Sequence, residues 1–120
     1  MAPPDPPQPP SVGPQPEVLQ DAAATFGMLA APVRLHILWL LGTGERDVGT
    51  LAAEVGQSVA TVSHHLSKLK LAGLVRARRA GKHQIYLADN PHVIEIVQLT
   101  VAHHHDRRDV TSPRRRSQGA

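Results

Sequence analysis

The sequence predicts a mainly α-helical fold with one small β-hairpin, and three observations predict it. Apolar residues recur at three- and four-residue spacing in five separate stretches of the chain. One further stretch, Leu74 to Leu87, reads as two strand-like runs about the turn Ala80-Gly81-Lys82. The 120 residues hold one Trp, one Tyr and one Phe, so the core must be built from Leu, Val, Ile and Ala, a set that favours helix packed on helix.

Length and composition bound the rest. A chain of 120 residues suits one core rather than two. Residues 1–16 carry eight of the eleven prolines and a single charge, Asp5, which is the composition of a disordered Pro-rich tail. Residues 109–120, with Arg114 to Arg116 beside Ser and Pro, read as a disordered basic tail, leaving 17–108 as the folded domain. Cysteine is absent, which excludes disulfides, thiolate chemistry and Cys-ligated metal, so any metal must be held by His nitrogen and by Asp, Glu or Asn oxygen. No run of 18 apolar residues and no signal-like start is present, so a cytoplasmic chain with no membrane partner is expected.

The elements follow in order. Val18, Leu19, Ala22, Ala23, Phe26 and Leu29 place a helix over about Glu17 to Ala30, broken at Ala31-Pro32. Pro32 suits the first turn of a second helix, nearly apolar from Val33 to Leu41 and stopped at Gly42-Thr43-Gly44, the pattern of a central buried helix. Arg34 and His36 are its few polar residues, and His36 reads as a core or rim residue rather than a ligand. Asp47 caps a short helix carrying Val48, Leu51, Ala52 and Val55, ending at Gly56. Ser58 caps the next, with Val59, Val62, Leu66, Leu69 and Leu71, up to Gly73.

Two short helices separated by a turn of about three residues have helix-turn-helix spacing, in which the second helix enters the DNA major groove. Its positions Thr61, Ser63, His64, His65, Ser67 and Lys68 are small or hydrogen-bonding and are expected to be exposed, as base reading requires, with Ser58 at its start. The basic hairpin that follows reads as a wing, with Arg78, Arg79, Lys82 and His83 near its tip for phosphates or a minor groove. From Gln57 to Ala88 there is no acid, while Lys68, Lys70, Arg76, Arg78, Arg79 and Lys82 supply six positive charges. Such a block inside a folded region suits a polyanion, although a solvated basic face fits the charge alone equally well.

Asn90-Pro91 starts a last helix whose apolar residues, Val93 to Ala102, cover more than half its circumference, an excess that points to a second subunit. His92 and His103 lie eleven residues apart, so at about 100° per residue they share one stripe, yet stand about 16 Å apart along the axis. One ion cannot join them on a single helix. If the helix pairs antiparallel with a second copy, the Asn90/His92 end of one faces the His103/Asp106 end of the other. This gives two equivalent N/O sites, with His104 and His105 as further donors. The same residues also fit a plainer reading, with Asn90 only a cap, His92 a rim residue and His103 to Asp106 a frayed polar end.

Taken together, the chain resembles the ArsR/SmtB family of winged-helix metal-responsive transcription regulators over roughly residues 17–108. The resemblance rests on Leu-Ala-Ala-Pro-Val-Arg-Leu-His-Ile-Leu (29–38), Val-Ala-Thr-Val-Ser-His-His-Leu-Ser-Lys-Leu (59–69), Ala-Gly-Leu-Val (72–75) and Gly-Lys-His-Gln-Ile-Tyr-Leu (81–87). It implies a homodimer paired through the terminal helices, binding an inverted-repeat double-stranded operator, usually as a repressor released by an effector. The family's arsenic and cadmium/lead sensors use Cys near the segment that is Glu45 to Leu51 here, where none occurs. Its zinc, cobalt and nickel sensors carry Asp-x-His, ten residues, then His-x-x-His or His-x-x-Glu. This chain matches at His92 and His103, has Asn90 for the Asp and ends the pattern with Asp106. A divalent metal is therefore expected, nickel first and zinc or cobalt next. The alternative, which Asn90 favours, is a winged-helix regulator without metal sensing, controlled by a protein co-regulator. A metal-buffering role is opposed by the acid-free basic stretch, and no nucleophile–base pair or phosphate loop suggests an enzyme.

Overall fold

The computed structural model describes residues 2–4 and 12–111. Five helices and three short strands follow one another as α1 (Pro16–Leu29), α2 (Pro32–Thr43), β1 (Arg46–Asp47), α3 (Val48–Val55), α4 (Val59–Leu71), β2 (Val75–Ala80), β3 (His83–Ala88) and α5 (Pro91–Thr111). Each helix boundary has a local cause. Prolines open α1, α2 and α5, where their missing N–H is no loss. Asp47 Oδ1 accepts from the Thr50 backbone N–H at 2.7 Å to cap α3, and Ser58 Oγ accepts from the Thr61 N–H at 3.1 Å to cap α4. Gly56 ends α3 in the left-handed region at φ +71°, where a Cβ would be strained.

The core is aliphatic, as the composition requires. Ile37 and Leu38 of α2, Leu51 of α3, and Val62, Leu66 and Leu69 of α4 are all fully buried, joined by Val75 and Val97. The second helix is the hub: it packs against α1, α3, α4, α5 and β3. Its burial is not complete, however. Trp39, expected inside a central helix, is 37% exposed on the face shared with His36, where it borders an open cavity between α2 and α5. Where α2 and α5 do meet, Gly42 lets them approach closely. A Cβ at Gly42 would stand 2.7 Å from Ile94 Cγ2 and 3.0 Å from Gln98 Nε2. Gly42→Ala is therefore expected to lower stability by about 1–3 kcal/mol although alanine is the better helix former. The readout is the urea midpoint, and an unchanged or raised midpoint would mean that Ile94 moves aside freely.

The hairpin is the expected one, with strands paired antiparallel from Val75↔Ala88 to Ala80↔His83. Its loop is Gly81-Lys82, with Gly81 at φ +62°, as a two-residue turn with glycine first requires. Sequence reading missed β1, which adds a third strand through Arg46↔Tyr86 and Asp47↔Ile85 and sets the sheet order β1-β3-β2. Arg46 anchors this edge: its Nη1 donates to the carbonyls of Leu40 and Gly44, its Nη2 to Thr43 Oγ1, and its Nε to Glu54. Two boundaries shift as well. Pro16 belongs to α1 rather than to the tail, and α5 continues past residue 108 to Thr111. The run Arg114 to Arg116 and half of the Pro-rich tail lie outside the described residues. Among the described residues, no single helix is long and apolar enough to cross a membrane.

Candidate nucleic-acid interface and terminal-helix histidines

Helices α3 and α4 are joined by Gly56-Gln57-Ser58, and α4 is held from behind by Val62, Leu66 and Leu69. That pinning turns Ser63, His64, Ser67 and Lys68 outward, with Ser58 exposed at the start of the helix. Two residues expected to be exposed are only half so. Thr61 accepts on Oγ1 from the Ser58 hydroxyl at 2.9 Å, which draws it into the cap. His65 leans towards α2, and its Nδ1 is buried with no hydrogen-bond partner among the described residues. Burial first, then the nearby charges of Arg34, His64 and Lys68, hold the His65 imidazole below its usual pKa.

The wing is basic but not bare. Arg76 and Arg78 share one face of β2, where Arg76 meets Asp89 at 3.4 Å and Arg78 pairs with Glu45. These acids come from outside the acid-free stretch and moderate the charge that the sequence alone displays. Both pairs are exposed, of a kind worth about 0–1 kcal/mol, and so exchangeable for a phosphate. Arg79, Lys82, Lys68 and Lys70 form no ion pair with any described residue. Beside the hairpin turn His83 Nδ1 lies 3.8 Å from Asp47 Oδ2. The hydrogen bond from the Thr50 N–H is the main reason that the Asp47 carboxyl sits below its ordinary pKa.

On α5, Val93, Ile94 and Val97 are buried against the protomer's own core, while Ile96 and Leu99 are 39% and 72% exposed. Phe26 of α1 is 57% exposed and faces Ile96 across a cavity of about 220 Å³. Asn90 is half-buried and its Oδ1 accepts from the Val93 N–H at 3.2 Å, so it caps α5. His92, His103, His104, His105 and Asp106 are all exposed. The three consecutive histidines do not act as one cluster. His103 and His104 touch edge to face, with centroids 5.0 Å apart, whereas His105 borders a cavity next to α2 and meets Asp109 at 3.6 Å. No group of three or more potential ligand residues gathers within one protomer among the described residues, in keeping with donors spread along a helix.

Comparison with known proteins bears on the whole arrangement. Residues 31–77, which run from the start of α2 into β2, match the family described as bacterial regulatory protein, arsR family. The chain is 44% identical over 72 residues to the HTH-type transcriptional regulator KmtR of Mycobacterium tuberculosis, a match covering 60% of this chain and 55% of KmtR. It is 37% identical over 81 residues to the transcriptional regulator NmtR of the same organism, covering 68% of each chain. The chain belongs to the ArsR family. The solution structure of a homodimeric winged helix-turn-helix DNA-binding domain from Mycobacterium bovis superposes on this ArsR-family chain with a TM-score of 0.68 at 34% identity, covering 78% of this chain and 86% of that one. The match to KmtR spans only about half of that relative's length. Within this ArsR-family chain, the residues that sequence reasoning overlooked are Glu45 and Asp89, whose pairing with the wing depends on folding and leaves no local signal.

Proposed function

We propose that the chain is a homodimeric transcription repressor that reads an inverted-repeat operator with α4 and the wing, and whose DNA affinity responds to a divalent metal between the two copies of α5. The exposed row Ser63, His64, Ser67 and Lys68 on a rigidly backed helix carries the DNA reading. Ser58 and Thr61 at its start, His65 beside it, and Arg78, Arg79 and Lys82 on the wing complete the surface. Their roles differ: α4 side chains specify bases, and the wing cations position the backbone. His65 contributes through shape and its exposed edge, since its Nδ1 is turned inwards.

The metal reading is supported by the donor set. His92, His103 and Asp106 are exposed on one stripe of a helix whose apolar face is left uncovered in the single chain, and neutral imidazole with carboxylate suits nickel, zinc or cobalt. These residues would hold the ion, with His104 beside His103. Asn90 is already engaged as a cap but keeps a lone pair on Oδ1. Nickel is placed first because the site offers more N/O donors than tetrahedral zinc uses. Family membership and the homodimeric M. bovis domain support both the DNA partner and the dimer.

Fluorescence anisotropy on operator and random DNA over a range of salt tests the DNA surface. Ser63→Ala or His64→Ala is expected to cost about 1–3 kcal/mol on operator and little on random DNA. Arg79→Ala and Lys82→Ala weaken both DNAs and flatten the salt slope by about one unit per contact. Arg78→Ala does less, because its phosphate contact exchanges with the Glu45 pair. Equal behaviour of helix and wing variants on the two DNAs would remove the assignment.

A further inference from the structure

We propose that the cavity between α2 and α5 that His36 and His105 border is a binding site for a small aromatic carboxylate, separate from both the DNA surface and the proposed metal stripe. The cavity measures about 440 Å³, inside the roughly 300–1,000 Å³ that small-molecule sites occupy. Its lining is Pro32, Leu35, His36, Trp39, Val101 and His105. Four of these six are apolar or aromatic and only the two imidazoles are polar, which is the make-up of a site that buries a ring and orients one polar group.

The chemistry of the lining selects among ligands. No carboxylate is among the residues that line the cavity, and the nearby Asp109 is paired with His105. Two nitrogen donors fall short of the three or four protein ligands that a metal site supplies, and no third ligand residue gathers with them among the described residues. An anion with an apolar body suits both parts. Its ring lies against the Trp39 indole, Leu35 and Val101, and its carboxylate sits at the rim, where His36 and His105 are exposed and able to donate. Asp109 meets Nδ1 of His105 at 3.6 Å, which leaves the other nitrogen of that ring, Nε2, for the ligand.

On α5 the residues that line the cavity are turned away from Leu99. Leu99 and Val101 are two positions apart and so point about 200° apart around the helix, and His103 and His105 diverge likewise. The α2–α5 cavity is therefore on the side away from the exposed Leu99 and from the His92/His103 stripe. A ligand wedged here acts at the joint between α2, which supports α3 and α4, and the long terminal helix. Trp39, 37% exposed on this central helix, supplies the aromatic wall of the site next to the two histidines.

Trp39 is the chain's single tryptophan, so its emission reports the site directly. Full-length protein free of metal and DNA is titrated with phenylacetate and, separately, with the uncharged 2-phenylethanol. The expected result is a saturable change in emission with phenylacetate at a Kd on the order of 1 mM, as its size allows. Binding should be about tenfold weaker for 2-phenylethanol and in His36→Gln and His105→Gln, each of which loses a charge-assisted hydrogen bond. Both substitutions are at exposed positions and are checked for unchanged helicity by circular dichroism. No saturable change up to about 10 mM, equal responses to the acid and the alcohol, or full binding by both variants would overturn the proposal. So would a nickel-dependent change in emission that survives His92→Ala and disappears in His36→Gln, since the cavity would then be a metal site.

Discussion

Replacing Leu99 by Asp is expected to leave the protomer folded, to yield monomers, and to lower operator affinity by about 10²–10⁴-fold, the factor lost when two linked half-sites become one. The protomer survives because its core does not use this residue: Leu99 is 72% exposed, while Val93, Ile94 and Val97 of the same helix are buried at 8% exposure or less. The dimer does not survive, because Leu99 lies with Ile96 on the uncovered face of α5, beside Phe26 of α1. Each such apolar side chain contributes about 1.5–3 kcal/mol when covered, and a carboxylate brought against its symmetry mate reverses the sign of that contribution. Sedimentation reads the oligomeric state, circular dichroism the fold and anisotropy the operator affinity. A dimer that persists in Leu99→Asp would place the interface elsewhere.

The features legible in the sequence are those fixed within one or two turns of chain. Asp47 and Ser58 cap the helices they were expected to cap, Gly56 ends α3, and Ala80-Gly81-Lys82 contains the hairpin turn, because each depends on hydrogen bonds or φ values a few residues away. The features not legible depend on partners far along the chain. The two residues of β1 have no strand pattern of their own and exist only because β3 arrives some 40 residues later. The Arg78–Glu45 pair joins residues 33 positions apart, so the basic wing is less bare than its local composition. For the candidate metal residues, helical spacing put His92 and His103 on α5 and capping chemistry made Asn90 its N-cap, but neither could show that His105 would border α2.

That division of the histidines makes the metal reading testable in a sharper form. If His92 of one copy and His103 with Asp106 of the other share an ion, the dimer takes up two metals, and His92→Ala and His103→Ala each abolish both, because every site draws on both ends of the helix. His105→Ala, by contrast, leaves metal uptake intact, since its ring belongs to the α2–α5 cavity. A cluster confined to His103–Asp106 of one chain would instead survive the loss of His92. Imidazole must be neutral to bind, so affinity falls in acid, with protons competing for the donor nitrogens. Calorimetric titration of the apo dimer with nickel, zinc and cobalt gives stoichiometry and preference, and repeating it with operator bound decides whether the site is a sensor. Linkage requires that metal and operator change each other's affinity by one common factor, typically about 5–150-fold in allosteric proteins. Two ions bound with the same affinity with and without operator would leave a DNA-binding dimer whose terminal-helix histidines carry no signal.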